Sequence, residues 1–308
     1  MTSASPAFPT FGEFVKTQRA LAQLSLRQAS QLAQISNPYL SQIEHGWVLP
    51  LSLIHISDEE QELEHSSEID ESHIKGRNVM TELRFDGRVA IITGAGGGLG
   101  RSHALLLASR GASVVVNDIG GSVDGKGGSA TPGDAVVAEI TALGGTAIAN
   151  RDSVSTPEGG QAIVDAAMDA FGRVDIVVNN AGILRDQAFH KMESDSINAV
   201  IDVHLKGALF VSRPAFAIMR EQGYGRFINT SSASGLFGNF GQANYGAAKA
   251  GLAGLTRVLA IEGANKGIKA NAIAPIAATR MTQDLLGELT ELVTPESVSA
   301  VVAYLANE

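Results

Sequence analysis

Cysteine is absent from the 308 residues, which excludes disulfides, thiol nucleophiles and cysteine-ligated zinc and fits a reduced cytoplasm. Basic residues are scarce: 23 Lys and Arg stand against 32 Asp and Glu, a net charge of -9. A surface built mainly to hold nucleic-acid phosphate is therefore not expected, although a local basic face stays open. The N-terminus has no basic segment leading into an apolar one, and no uninterrupted apolar run is long enough to span a bilayer. No pattern of side chains suggests a metal site. What is present is 44% hydrophobic and 18% charged residues, enough for one sizeable core with residues left over.

The surplus lies at the front. Residues 11–46 place apolar side chains at helical spacing between short turns. Ser25 is suited to cap a helix over residues 26–33, and Ser36 one that runs through Tyr39, Leu40 and Ile43 to a stop at Gly46. The stretch LSLRQASQLAQISNPYLSQIEHG resembles the helix-turn-helix of Cro/C1-type repressors. That resemblance implies a DNA face at Gln28, Asn37, Pro38, Tyr39 and Gln42, with Asn37 and Gln42 pairing with base edges. A short helical hairpin with solvated polar faces is the alternative. The repressor family adds further helices after the glycine, whereas Trp47 to Ile56 is apolar and irregular. Residues 51–80 then carry eight acidic side chains against Lys75 and Arg77, which disfavours DNA as a partner of residues 11–46.

Residues 58–73, DEEQELEHSSEIDESH, read as a mobile linker or a solvated helix. The preceding LSLIHIS is similar to translated sequencing-adapter sequence, and Met80-Thr81-Glu82-Leu83 looks like the start of a separate protein. The expectation is a frame that joins a repressor fragment to an enzyme. The organisation is then a partial helix-turn-helix at 1–50, an acidic junction at 51–79 and an enzyme domain at 80–308.

From Arg84 onward, apolar runs of strand length alternate with longer amphipathic stretches. Strands are predicted at Val89–Thr93, Ser113–Asn117, Ala147–Asn150, Asp175–Asn179, Gly225–Thr230 and Ile268–Ile273, with helices between. Parallel strands require crossovers, so the alternation gives an α/β, Rossmann-like, doubly wound parallel sheet behind a small, incomplete all-α segment.

The first strand runs into Thr93-Gly94-Ala95-Gly96-Gly97-Gly98-Leu99-Gly100 and then a helix. Glycines let the backbone approach a pyrophosphate, and the helix N-terminus offers N–H groups and a positive dipole end. A second strand ends at Asp118, 24 positions after Gly94. Its carboxylate suits the ribose hydroxyls of NAD and repels the 2′-phosphate of NADP, and no Lys or Arg lies between Gly94 and Gly98 to offset that. The alternative role for Asp118 is to cap the Gly120-Gly121 turn. Asp152 either reaches the adenine edge or serves its own loop.

Tyr245 and Lys249 are four apart and share one face of a helix, where an ammonium near the phenol favours phenolate. Such a tyrosine takes a proton from an alcohol while hydride leaves the same carbon. Ser232, thirteen residues earlier, is placed to hold the substrate oxygen. The glycine run, Asn179-Asn180-Ala181-Gly182, Ser232, and Tyr245-Gly246-Ala247-Ala248-Lys249 together resemble the short-chain dehydrogenase/reductase family over residues 84–308. The resemblance implies catalysis by Ser232, Tyr245 and Lys249. It implies a cofactor set of Gly94, Gly98, Leu99, Gly100, Asp118, Asp152, Asn180, Ala181, Gly182, Tyr245, Lys249, Pro275 and Thr279. Where relatives often carry an Asn for a proton relay, this chain has His204, which either substitutes in the relay or is a packed, hydrogen-bonded residue.

Within the family, the runs at 116–121, 180–186 and 238–245 are similar to the (3R)-hydroxyacyl-CoA dehydrogenase part of peroxisomal multifunctional enzymes and bacterial relatives. That implies a (3R)-3-hydroxyacyl thioester substrate and a homo-oligomer. Residues 275–279 look like the loop over the nicotinamide. Relatives continue beyond a helix matching residues 295–306 into a last strand, so a truncated sheet edge and a weakened oligomer are expected. Two further readings stand beside the dehydrogenase: a DNA-binding regulator with a redox-cofactor domain, and an inert chimeric fragment.

Overall fold

The computed structural model of the chain describes residues 16, 25–28, 83–122, 124, 131–275 and 294–307. The chain divides into two units, Met1–Ile54 and His55–Glu308. Within the first, Ser25 and Gln28 form a reciprocal helix cap. The Gln28 N–H donates to Ser25 Oγ at 3.2 Å, and the Ser25 N–H donates to Gln28 Oε1 at 2.9 Å. The remaining DNA-facing positions, the junction at 51–79 and Thr279 lie outside the described residues.

The second unit is built on six strands, β1 (Val89–Thr93), β2 (Ser113–Asn117), β3 (Thr146–Asn150), β4 (Ile176–Asn179), β5 (Gly225–Thr230) and β6 (Ile268–Ile273). They pair in the order β3-β2-β1-β4-β5-β6, and every pairing is parallel. Four of the six coincide with the pattern-based expectation, and β3 and β4 differ from it by one residue at the start. β1 is buried throughout, as a strand covered on both faces must be. Each of its Val and Ile side chains contributes about 1.5–3 kcal/mol of burial.

β4 begins at Ile176, one residue after Asp175, whose carboxylate anchors the start of the strand. Its Oδ2 accepts the Val89 N–H at 2.9 Å, and both oxygens are held by Arg173 and Arg88 at 2.7–3.1 Å. This fully buried carboxylate fastens the bottom of β4 to β1.

The crossovers are α1 (Gly98–Ser109), α2 (Thr131–Ala142), α3 (Pro157–Phe171), α4 (Ser194–Ile201), α5 (Gly207–Gln222), α6 (Ala233–Phe237) and α7 (Ala243–Gly263), and α8 (Pro295–Ala306) follows β6. α3 shows why such a segment starts and stops where it does. Thr156 Oγ1 accepts from the Gly159 N–H at 3.0 Å, Pro157 occupies the first turn, and Gly172 ends the helix at φ 73°. α3 packs on α5. There Pro214 removes the N–H that would bond the Phe210 carbonyl. Gly160 leaves that carbonyl room, since a Cβ would lie 2.6 Å from it.

Strand order reverses between β1 and β4. The loops after these neighbours leave in opposite directions, so a crevice opens at their carboxyl ends.

Candidate active site

The crevice is a cleft of about 520 Å³ whose walls include Gly94, Gly98, Leu99, Asp118, Asn180 and Gly182. Its floor is a stitched turn. Thr93 Oγ1 accepts the N–H groups of Asn180 and Ala181, both at 3.1 Å, while Asn180 Nδ2 donates to the carbonyls of Thr93 and Gly94 at 2.9 and 3.1 Å. Gly94 and Gly98 adopt φ of 64° and 52°, the left-handed region that favours glycine. Gly100 is required by space instead, because a Cβ there would run into the Gly94 carbonyl and Asn180 Nδ2. Gly97 precedes α1 without a side-chain cap, and the first turn carries no acidic residue. The N–H groups of that turn and the positive end of the helix are therefore open to an anion in the cleft.

Asp118 caps its turn and also reaches the glycine loop. Its Oδ1 accepts the Gly120 N–H at 2.7 Å, capping the following turn, and its Oδ2 accepts the Gly96 N–H at 2.8 Å across the cleft. Each oxygen keeps a second lone-pair site for a hydroxyl. Asp152 stands apart from the cleft lining: its Oδ2 accepts from Asn150 Nδ2 at 2.7 Å, and its carbonyl accepts from Asn117 Nδ2 at 2.9 Å. Pro275 follows two residues after β6.

Ser232 is the N-cap of α6, where its Oγ accepts the Ser234 N–H at 3.2 Å. Tyr245 and Lys249 lie one turn apart on α7. The fold brings Ser232 close enough to the Tyr245 phenol to act on its pKa. The electrostatics differ from the sequence-based expectation that Lys249 depresses the tyrosine. Burial raises the Tyr245 pKa, Ser232 opposes that, and the Asp186 carboxylate adds to the rise. The reason is geometric. Lys249 Nζ donates to the Thr230 carbonyl at 2.5 Å and lies 5.4 Å from the centre of the Tyr245 ring. Burial also pushes Lys249 down to about 7, which weakens its hold on a proton at neutral pH.

His204 sits in a π-helical turn, Asp202–Lys206, inserted between α4 and α5. Extra residues of this kind re-aim one side chain and recur at functional sites. The ring is 3% exposed and meets Tyr245 edge-on, with centroids 5.1 Å apart. Its Nε2 lies 2.8 Å from the Ile183 carbonyl and 3.0 Å from the Ile183 N–H, and one tautomer satisfies one of these at a time. Burial, with the charge of Lys249 adding to it, pushes His204 down to about 3, so the imidazole is neutral. Gly182 is what admits it, because a Cβ at that position would overlap His204 Cε1. His204 is therefore wedged between the cleft wall and the tyrosine.

Two polar groups were given no role in the sequence. Gln242 Nε2 donates to Asp186 Oδ2 at 2.7 Å, and Gln242 Oε1 accepts from Ser234 Oγ at 2.7 Å and Asn239 Nδ2 at 3.1 Å. This amide ties the loop after β4 to α6 and to the start of α7, the elements that carry Ser232 and Tyr245. Asn179 Nδ2 donates to Ser212 Oγ at 2.9 Å and Asn229 Oδ1 at 2.8 Å, and Asn229 in turn donates to Thr256 Oγ1 at 2.9 Å. That chain of bonds runs under the site from α5 to α7. No periodicity marks either group; the signal for Asn179 was a polar residue ending an apolar strand, and Gln242, before α7, had none.

Among the described residues no helix is long and apolar enough to cross a membrane, and no group of three His, Asp or Glu is placed to hold a metal. A short chain dehydrogenase family model matches residues 88–289. A short-chain type dehydrogenase/reductase of Mycobacterium tuberculosis is 59% identical over 222 residues, 72% of this chain and 78% of that one. The mouse peroxisomal multifunctional enzyme type 2 is 53% identical over 227 residues, 73% of this chain and only 30% of that longer protein. The crystal structure of a short chain dehydrogenase from Mycobacterium avium superimposes with a TM-score of 0.64 at 48% identity, covering 72% of this chain and 78% of that one. With its parallel sheet and with serine, tyrosine and lysine gathered at the carboxyl ends of the strands, this chain belongs to the short-chain dehydrogenase/reductase family of oxidoreductases.

Proposed function

We propose that the chain is an NAD-dependent dehydrogenase of (3R)-3-hydroxyacyl-CoA thioesters, which oxidises the 3-hydroxyl to a ketone. The observation that carries the reading is the placing of Ser232 beside Tyr245, with Lys249 one turn further along α7, in the same unit as a cleft into which Asp118 offers its carboxylate. The walls fit a dinucleotide. Uncapped N–H groups at α1 suit the diphosphate, and the free lone pairs of Asp118 suit the ribose hydroxyls. Bound there, NAD supplies the acceptor for the hydride that leaves the carbinol carbon. Thr279 and Pro275 are assigned to the carboxamide side.

The chain's own residues handle the proton and the geometry. Ser232 Oγ holds the substrate oxygen, and Tyr245 Oη takes the hydroxyl proton as the C–H bond breaks. In the reverse direction the phenol returns it. A tyrosine raised by burial is a ready donor at neutral pH and a base once ionised, so alkaline conditions favour oxidation. Lys249 is assigned to the nicotinamide ribose. His204, neutral and wedged, keeps Tyr245 and the 182–183 backbone in register and relays no proton. The similarity to a multifunctional peroxisomal enzyme supports the thioester substrate.

The test is NADH formation by the full chain with matched (3R)- and (3S)-3-hydroxybutanoyl-CoA, with NADP in place of NAD as a second arm. Turnover confined to the (3R) ester and NAD is expected. Preference for NADP, or oxidation of simple secondary alcohols with no thioester turnover, overturns the assignment.

A further inference from the structure

Ten large apolar side chains are exposed among the described residues, and four of them lie on two segments: three between Ser232 and Tyr245 in the chain, and Phe189 on the segment bonded to that one. Phe189 is 75% exposed, Phe237 76%, Phe240 89% and Leu236 44%. Scattered exposed apolar residues are ordinary, whereas a local group of rings marks a binding surface. These four belong to two segments joined by a backbone bond, in which the Gln187 N–H donates to the Gly241 carbonyl at 2.8 Å. Phe189 lies two residues from that bond on one side, and Phe240 lies next to it on the other. Leu236 and Phe237 close α6, whose N-cap is Ser232. At 1.5 Å of rise per residue, Phe237 is about 7 Å along the chain axis from Ser232.

The rings are held open by the polar framework around them. Gln242 fixes Asp186 on one segment and Ser234 and Asn239 on the other. Gly238 and Gly241, at φ of 79° and 77°, turn the backbone between Phe237 and Gln242. This framework anchors both segments through side-chain amides and backbone and leaves the phenyl faces in solvent.

We infer that Phe189, Leu236, Phe237 and Phe240 form an apolar platform for the tail of a medium- or long-chain acyl group, so that the protein selects against short-chain thioesters. The inference rests on the acyl-thioester reading above. With the carbinol held at Ser232 and Tyr245, a butanoyl substrate ends before it reaches Phe237. A dodecanoyl chain continues over α6 and onto the rings. The occupant is the substrate tail rather than a second copy of the chain because the platform is continuous with the catalytic serine through α6.

The experiment uses the full chain and its Phe237→Ser/Phe240→Ser double variant. kcat/KM is measured with (3R)-3-hydroxybutanoyl-CoA and (3R)-3-hydroxydodecanoyl-CoA, and oligomeric state is followed by sedimentation. The unmodified protein should prefer the dodecanoyl ester. The variant should lose roughly tenfold in the dodecanoyl-to-butanoyl ratio, mainly through KM, which is the scale of a few buried methylenes. An unchanged ratio overturns the platform, whether both activities fall together or neither falls. An unchanged ratio with altered sedimentation assigns the rings to an interface between copies. Failure of the underlying reading looks different: the unmodified protein then turns over neither ester, and the platform falls with it.

Discussion

Replacing Asp118 with Asn tests how the cleft chooses its cofactor. The substitution keeps the shape and removes the charge. Asp118 accepts two backbone N–H groups, from Gly96 at 2.8 Å and Gly120 at 2.7 Å. The Asn amide has one acceptor oxygen, so one of those N–H groups is turned against an NH2 group and the glycine loop loosens. Two effects act on binding. For NAD, a charged acceptor for the ribose hydroxyls becomes a neutral one, a loss of about 1 kcal/mol. For NADP, a unit charge pair at about 4 Å and an effective dielectric near 20 repels by roughly 4 kcal/mol, which partial exposure and salt reduce to about 2. The two changes have opposite signs and together shift the preference by about 3 kcal/mol, or roughly a hundredfold. The assay is a fluorescence titration of both nucleotides against both proteins, with circular dichroism confirming an intact fold. NAD should bind about fivefold more weakly and NADP more tightly. If the ratio of the two Kd values moves by less than about threefold, Asp118 does not set cofactor choice and is only a turn cap.

Tyr245→Phe should lower kcat by roughly 10²–10⁴ and leave NAD binding in place, which separates proton transfer from cofactor binding. A variant that keeps most of its rate removes Tyr245 from the chemistry. Because burial holds the Tyr245 pKa above its ordinary value of 10.0, alcohol oxidation should climb with pH through the neutral and alkaline range while ketone reduction stays level until the phenol ionises. An oxidation rate flat over that range refutes the assignment. His103 is buried between α1 and α8, with Nδ1 2.7 Å from Ser299 Oγ, and burial pushes its pKa from 6.5 down to about 4. The unfolded chain then takes up the proton first, so the stability is full above 6.5 and is lost as pH falls toward 4, by about 3 kcal/mol. His103→Gln should flatten the loss seen in urea denaturation over that interval, and an unchanged slope counts against it.

The central strands were legible because burial on both faces makes β1 and β2 apolar runs, and the parallel sheet followed from their alternation with crossover helices, whereas the strand order came only from the structure. The glycine run and the Tyr245–Lys249 spacing were legible for a similar reason: a tight turn and a helical face are local, and local geometry writes itself into spacing. Four features lay beyond what spacing could show. The Asp175 carboxylate, just before β4, gathers a buried ion cluster at the bottom of the sheet. Asp152 turned to Asn150 rather than into the cleft lining. Lys249 did not depress Tyr245, since its Nζ bonds the Thr230 carbonyl on β5. The π-helical turn under His204 had no pattern to announce it.

By itself, then, the sequence determined the layered α/β architecture, the glycine-rich turn after β1 and the shared helical face of Tyr245 and Lys249, all of them consequences of short-range backbone geometry. Tertiary structure decided what depends on distant segments meeting. It set the direction of the tyrosine's pKa, the neutrality of His204, the bridge that Gln242 makes between loops 56 residues apart, and the open ring cluster beside the site. The physical reason is that burial and pairing are properties of neighbours in space, and a chain of residues names those neighbours only after it has folded.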